Sequence, residues 1–300
     1  MKSSLFVNKS CPICSTNRYS KIIYKANLEN NIDNINYSGR KKPDGLHYEM
    51  VRCMNCSLLY AKQIYDNNVT KKLYTDSNFV YESEIKGLKK TYGHCLREGE
   101  KTISNKENFL EIGCGCGFVL ELAQNNGWKH IMGVEPSLKS IENSHPDIKS
   151  KIVNSFFNVD NYQDNFFDII FVAMLIEHVS DINKFLSDIY KILKPGGSLV
   201  TICHDENHFL SKLLKNKHPI INDEHNYIFS SNTIKQIYTK NKFKKLKIKN
   251  LKNYYTLGYW IKMMPIKLSL PNIFNLSLLN KILKINIGFK AGNIFIIAKK

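Results

Sequence analysis

A chain of 300 residues makes one large domain or a domain plus a small module, and its hydrophobic share of 43% supplies a core. No apolar run reaches the roughly 18–20 residues that span a bilayer, and the opening MKSSLFVNKSCPIC has no apolar h-region and no small-residue cleavage site. The expectation is a cytoplasmic protein without secretory signal or transmembrane segment. The net charge of +17 raises nucleic acid as a partner, yet only four of the 43 basic residues are Arg (Arg18, Arg40, Arg52, Arg97), the side chain suited to bidentate phosphate and base contacts. A Lys excess beside abundant Asn and Ile reads as a composition bias spread over the surface.

Residues 1–60 hold two CxxC pairs, Cys11-Pro-Ile-Cys14 and Cys53-Met-Asn-Cys56, separated by the Asn-rich stretch Asn27–Asn36. Four thiolates in two knuckles suit a structural Zn²⁺, and the long separation is absorbed by the loop between them. A redox CxxC would stand alone at a helix start. The metal ligands expected are therefore Cys11, Cys14, Cys53 and Cys56. The other four cysteines, Cys95, Cys114, Cys116 and Cys203, read as small buried hydrophobes or loop residues.

A helix is expected over Ser83–Lys101. From Asn108 strand and helix signals alternate. Phe109–Ile112 is a strand and Phe118–Asn126 a helix. Ile131–Glu135 is a second strand, Ser137–Ser144 a helix capped by Ser137, and Lys151–Val153 a third strand. Phe166–Ala173 (FFDIIFVA) is a continuous apolar run, as in a strand covered on both faces. Asp181–Leu193 is an amphipathic helix stopped by Lys194–Gly197 (KPGG), and Ser198–Cys203 a fifth strand. Ser230–Asn241 is a further helix with its cap at Ser230 or Ser231. Phe243–Leu251 and Asn293–Lys299 are two last strands. Lys240–Lys252 alternates Lys with Phe243, Leu246, Ile248 and Leu251, a strand with a solvated Lys face. Strands alternating with helices imply an α/β, doubly wound and mostly parallel sheet.

Gly113, Gly115 and Gly117 follow the first of these strands and open a helix. Glycine there permits a tight turn and close approach of a ligand to the main chain, at the carboxyl end of the sheet where ligands bind. Position 118 is Phe, so G-x-G-x-x-G is incomplete, and no G-x-x-x-x-G-K-[ST] is present. The pattern that stands here is E-x-G-x-G-x-G, beginning at Glu111.

This pattern resembles the glycine motif of class I S-adenosylmethionine-dependent methyltransferases. Glu135 in GVEPS resembles that family's acid on the ribose diol, FDIIFVAMLIEHVSD (Phe167–Asp181) its fourth strand and cofactor loop, and LKPGGSLV (Leu193–Val200) its turn into strand five. The resemblance covers roughly residues 105–300. It implies a Rossmann-like seven-stranded sheet with helices on both faces and S-adenosylmethionine as cofactor. The cofactor contacts it implies are Glu111, Gly113, Cys114, Gly115 and Gly117 in the glycine loop, Glu135 and Pro136 after the second strand, and the loop positions Ser155, Ala173, Met174 and His178.

CSLLYAK (Cys56–Lys62), LYTDSNFVYES (Leu73–Ser83) and the helix toward Tyr92 and His94 resemble the N-terminal part of nucleotide-sugar C-methyltransferases, which join a zinc module to the same core. Those enzymes carry a Y-x-Y-x-S-like stretch, in which Phe79 here replaces the first Tyr and Tyr81 keeps the second. They also carry a Glu-His pair before Y-x-F-S, here Glu224-His225-Asn226-Tyr227-Ile228-Phe229-Ser230. The resemblance implies His225 as general base, with Glu224 and Tyr81 assisting. A neutral imidazole suits that role at physiological pH. His204, Asp205 and His208 are second-choice bases or a weak metal-site candidate. The sequence ends at Lys300 just after the last core strand, so the additional C-terminal domain of those enzymes is not expected and sugar O-methylation stands beside C-methylation. An RNA acceptor read by the zinc module and a natural-product O-methyl acceptor are the alternatives.

The expected organisation is a zinc-ribbon-like module over 1–62, a helical connector over 63–104 and the methyltransferase domain over 105–300. That domain carries an apolar insert, 258–284, which packs on the sheet or serves as a lid, a dimer contact or a peripheral membrane segment. The oligomeric state is a monomer or a homodimer, and the acceptor a sugar, a nucleotide sugar or a polysaccharide or glycolipid precursor.

Overall fold

The computed structural model describes residues 5–28, 37, 44–263 and 281–300. Most of the expected Asn-rich loop and positions 264–280 of the expected insert lie outside the described residues. In chain order the elements are β1 (Phe6–Asn8), β2 (Ser20–Tyr24), β3 (Met50–Cys53), β4 (Leu59–Ala61), β5 (Gln63–Tyr65), α1 (Asn67–Thr75) and α2 (Ile85–Glu100). There follow β6 (Asn108–Ile112), α3 (Phe118–Asn125), β7 (His130–Glu135), α4 (Leu138–Glu142), α5 (Pro146–Lys149), β8 (Ile152–Asn154), β9 (Phe167–Ala173) and α6 (Ile182–Ile192). The chain closes with β10 (Leu193–His204), α7 (Phe209–Leu214), β11 (Tyr227–Ile228), α8 (Ser231–Lys240), β12 (Lys244–Thr256), α9 (Leu257–Lys262) and β13 (Asn286–Lys299).

The central sheet has seven strands in the order β12-β13-β10-β9-β6-β7-β8. Strands β8, β7, β6, β9 and β10 run parallel, and β13 lies antiparallel between β10 and β12. This is the α/β Rossmann-like sheet that the alternation of elements required. The run FDIIFVA becomes β9, buried at six of its seven positions, because helices cover both faces. One apolar layer packs Leu110, Val172 and Leu199 against Leu186 and Ile189 of α6 and Ile234 of α8. The other packs Phe109, Phe171 and Ile202 against Leu88 and Leu96 of α2 and Val119 of α3.

Local chemistry sets the element ends. The Ser137 hydroxyl accepts from Ser140 N and caps α4. Ser230 caps α8 in a reciprocal box with Thr233. Helix α6 stops at Ile192, but Leu193–Gly197 is extended, so β10 begins five residues before the expected Ser198, with a register shift between Leu193↔Phe167 and Ser198↔Ile169. The expected Lys face of β12 is present: Lys244, Lys245, Lys247 and Lys249 are exposed and Leu251 is buried.

Strands β2, β3 and β4 form a second sheet that carries the cysteine pairs, and its outer strand is β11, from the far part of the chain. Tyr227 pairs with Tyr60 and Ile228 with Leu59. The cores are continuous as well, since Cys11, Val51, Leu58 and Tyr60 belong to the same apolar cluster as α6 and α8. Lys240 on α8 donates to the carbonyls of Pro12 and Ile13 at 2.7 and 3.0 Å, and Asn183 on α6 to Pro12 at 2.9 Å. Arg52 forks onto Glu206 at 3.1 and 2.8 Å. No helix among the described residues is long and apolar enough to cross a membrane.

Candidate functional site

A cavity of roughly 1100 Å³ opens at the carboxyl edge of the parallel strands. Its floor is the turn after β6. Gly113 and Gly115 hold φ of +72° and +55°, a region that costs a side-chained residue strain. A Cβ on Gly115 would fall onto the Tyr81 hydroxyl, so only glycine lets Tyr81 cover the loop. Opposite, at the end of β7, the Glu135 carboxylate accepts from Gly115 N at 2.8 Å and from Ser137 N at 2.9 Å. Glu111 is buried beside it, and its Oε2 meets no hydrogen-bond partner. Burial and the neighbouring Glu135 push the Glu111 carboxyl well above its ordinary value. Burial raises Glu135 too, partly offset by the two N–H groups it accepts from.

Ten of the eleven residues that the resemblance marked for cofactor contact line this cavity: Glu111, Gly113, Cys114, Gly115, Glu135, Pro136, Ser155, Ala173, Met174 and His178. Gly117 does not. It heads α3 at φ +70°, where a Cβ would run into Ile148, so the turn requires glycine there. Met174 sits at φ +52°, an uncommon conformation for a side-chained residue, and its N–H donates to the Ile202 carbonyl. Strain of that kind gathers at ligand sites.

The far wall carries imidazoles. Tyr81, Glu224 and His225 line the cavity, as do His178, His204 and His218. The Asn222 side-chain oxygen accepts from the backbone N–H of both Glu224 and His225, at 2.9 and 3.0 Å, which fixes the pair in a turn just before β11. His225 Nδ1 lies 2.7 Å from the Ile220 carbonyl. A carbonyl only accepts, so Nδ1 holds a proton and Nε2 keeps the lone pair of the neutral ring. The His225 ring centre is 4.7 Å from that of His178 and 5.0 Å from that of His204.

His204 is braced by Glu177, whose Oε1 accepts from His204 N at 2.8 Å and faces His204 Nδ1 at 3.0 Å. Burial alone would raise the Glu177 carboxyl, but His204 and His178 outweigh it and hold it below its ordinary value. The two imidazoles thus favour the ionised form of Glu177 in spite of its burial. His178 Nδ1 meets the Tyr74 hydroxyl at 2.8 Å and Glu224 at 3.9 Å. Burial, then His204 and His208, lowers His218 to about 4, so that ring is neutral. His208 also lines the cavity and caps α7, while Asp205 accepts from Asn207 N in a local turn. Sequence reasoning missed Tyr74, Glu177 and Asn222. Glu177 stood in the quoted stretch IEHV, and its signal was an acid inside an apolar run.

The four knuckle cysteines meet at the other end of the second sheet. All four sulfurs lie within 4.8 Å of one another, with Cys11 Sγ to Cys56 Sγ at 3.4 Å and Cys53 Sγ to Cys14 Sγ at 3.7 Å. Sulfurs at about 2.3 Å from a tetrahedral zinc would stand about 3.8 Å apart, so the donor set fits that ion.

A sheet of this order, with a glycine turn after its first parallel strand and an acid after the second, has the class I methyltransferase fold that the sequence led us to expect. The chain belongs to the methyltransferase-domain family, whose model matches residues 88–248. Phosphoethanolamine N-methyltransferase 2 of Caenorhabditis elegans is 31% identical over 100 residues, 31% of this chain and 23% of that protein. The mitochondrial ubiquinone biosynthesis O-methyltransferase of Dictyostelium discoideum is 28% identical over 109 residues, 31% of this chain and 33% of that protein. The matched segment thus spans a third or less of either relative. Among solved structures, the YcgJ protein of Bacillus subtilis is alike in fold, with a TM-score of 0.50 and 16% identity over 70% of this chain and 98% of that one.

Proposed function

We propose that this chain transfers a methyl group from S-adenosylmethionine to a small molecule held in the cavity. One observation carries the reading: a glycine turn with two buried carboxylates and a wall of braced imidazoles face each other across a single space. The cofactor supplies an activated methyl on a sulfonium, so the chain's work is to bind, align and remove a proton. Glu135 would hold the ribose diol, since a carboxylate accepts from two hydroxyls. Glu111, with its unpartnered oxygen, would hold the cofactor's ammonium. Two crowded carboxylates suit a cationic ligand.

Replacing Glu135 with Ala is expected to weaken S-adenosylmethionine binding by about 3 kcal/mol, roughly a hundredfold, through loss of charged hydrogen bonds. Calorimetry reads this, and an affinity within threefold of the parent would count against the assignment. The raised Glu111 carboxyl adds a pH dependence. The cation binds the ionised form, so affinity falls as pH drops from the raised value toward 4.5, by at most about tenfold per pH unit, with protons released on binding. Glu111→Gln should flatten the profile, and a parent profile already flat would contradict the role.

His225, with its Nε2 lone pair, is the proposed general base. Glu224 and Tyr81 are the assisting groups, and the Glu177–His204 pair stands next in line for the proton. The acceptor is proposed to be a sugar-bearing small molecule, a nucleotide sugar or a glycolipid precursor. The Asn222-Glu224-His225 turn gives it polar contacts, and the apolar share of the cavity wall, with Phe157, Leu210, Tyr259 and Trp260, favours the lipid-linked member. That wall also favours an apolar natural-product or quinol acceptor, in line with the ubiquinone-pathway relative. A turnover screen of nucleotide sugars, lipid-linked sugars and catechols with radiolabelled S-adenosylmethionine separates these, and label transfer to catechols alone would remove the sugar reading. A structural Zn²⁺ on Cys11, Cys14, Cys53 and Cys56 completes the proposal, with residues 1–62 as its module, 63–104 as connector and 105–300 as the methyl-transfer domain.

A further inference from the structure

The net charge of +17 is concentrated instead of spread: residues 225–300 hold 15 Lys and no Asp or Glu. Some of these lysines are taken up locally, as Lys247 and Lys249 are by Glu98. Others stand at the cavity mouth, where α7, α9 and the first half of β13 meet. Phe209 and Leu213, one helical turn apart on α7, are 66% and 65% exposed, and Phe289 on β13 is 50% exposed. All three line the opening, and Trp260 packs edge-on to Phe289 with ring centres 5.5 Å apart. Single exposed apolar side chains are ordinary, but these three share one rim, and Ile285, just before β13, is 53% exposed as well. Around them Lys212, Lys215, Lys217, Lys262 and Lys290 are exposed, and neither 207–222 nor 257–300 contains an acid. The acids that flank 207–222 are Asp205, which accepts from Asn207 N, Glu206, which Arg52 holds, and Asp223 and Glu224, which are both buried.

We propose that this rim docks on the surface of an anionic lipid bilayer, with Phe209, Leu213 and Phe289 entering the headgroup–acyl boundary and the lysines meeting the headgroups. Protruding apolar tips ringed by Lys, with Trp and Tyr behind them, match an interfacial contact. Nucleic acid is the poorer match, because the rim offers no Arg and one of its exposed tips, Leu213, is aliphatic. The contact would bring the cavity mouth to the membrane, so that an acceptor with an apolar tail enters without crossing water. The docking itself does not depend on the methyl-transfer reading.

The test is co-sedimentation of the full chain with phosphatidylcholine vesicles, with and without about one third phosphatidylglycerol. Binding is expected to the anionic vesicles and to weaken with salt. The pair Phe209→Ser and Leu213→Ser is expected to lower it by at least about tenfold, as is the triple Lys212→Glu, Lys215→Glu and Lys217→Glu. These residues are exposed, and an unchanged melting temperature in each variant separates lost docking from lost folding. Equal weak retention by both vesicle types, or binding that survives both variants, would overturn the proposal. So would tighter binding to single-stranded RNA that the Lys variant loses and the Phe209→Ser, Leu213→Ser variant keeps, because the face would then belong to a nucleic acid.

Discussion

His225→Ala is expected to lower kcat by about 10²–10⁴-fold while leaving S-adenosylmethionine affinity within about twofold. The reason lies in how the ring is held. Its Nδ1 donates to the Ile220 carbonyl and its backbone N–H to Asn222, so in the neutral ring Nε2 is the basic nitrogen. His225 is 4% exposed, and Ala leaves a space where the base stood. His204→Ala provides the comparison. If His204 instead of His225 takes the proton, its loss gives the larger fall, and the order of the two rates decides between them. The pH profile sharpens this: the limb on the acid side of kcat should vanish in the variant that lacks the base.

Removing zinc, or replacing Cys53 with Ser, is expected to unfold the second sheet and to abolish turnover with it. A structural zinc contributes roughly 10–16 kcal/mol of apparent binding free energy in small modules, as large as the roughly 5–15 kcal/mol by which a whole domain is stable. The loss reaches the site because β11 is an outer strand of that sheet. Tyr227 pairs with Tyr60 only two residues after His225, and Ala61 N donates to the Asn226 carbonyl at 2.9 Å. Asn226 in turn donates to the His178 carbonyl at 2.7 Å and ties the imidazole wall together. One zinc per chain by elemental analysis, and a fall in melting temperature on chelation, are the readouts. A chain without zinc that keeps full turnover would show that the knuckles are dispensable.

The parallel sheet was legible because its strands and helices differ in period, and because buried strands such as β9 read as unbroken apolar runs. The glycine turn and Glu135 were legible because positive φ and close approach demand glycine at fixed spacing from a strand. What sequence spacing does not encode is contact across long separations. Nothing in Tyr227–Ile228 announced that it would pair with β4, because two residues carry no period. Helix α1 offers only a short stripe, Val69, Leu73 and Tyr74, all partly buried, amid polar neighbours. Glu177 and Tyr74 were hidden for the same reason, since their meaning is the partner each finds, His204 in one case and His178 in the other. The net charge reads as a surface-wide Lys bias only when it is summed, since the acid-free stretch 225–300 is visible in the sequence itself. A whole-chain sum conceals such an asymmetry.

The most direct measurement is calorimetric titration of the full, zinc-loaded chain with S-adenosylmethionine. The account predicts one site per chain with a dissociation constant in the range of about 1 μM to 1 mM, as for enzymes working near physiological ligand levels, and its loss in Glu135→Ala. Absence of binding to the folded parent chain, or binding that Glu135→Ala leaves intact, would contradict it.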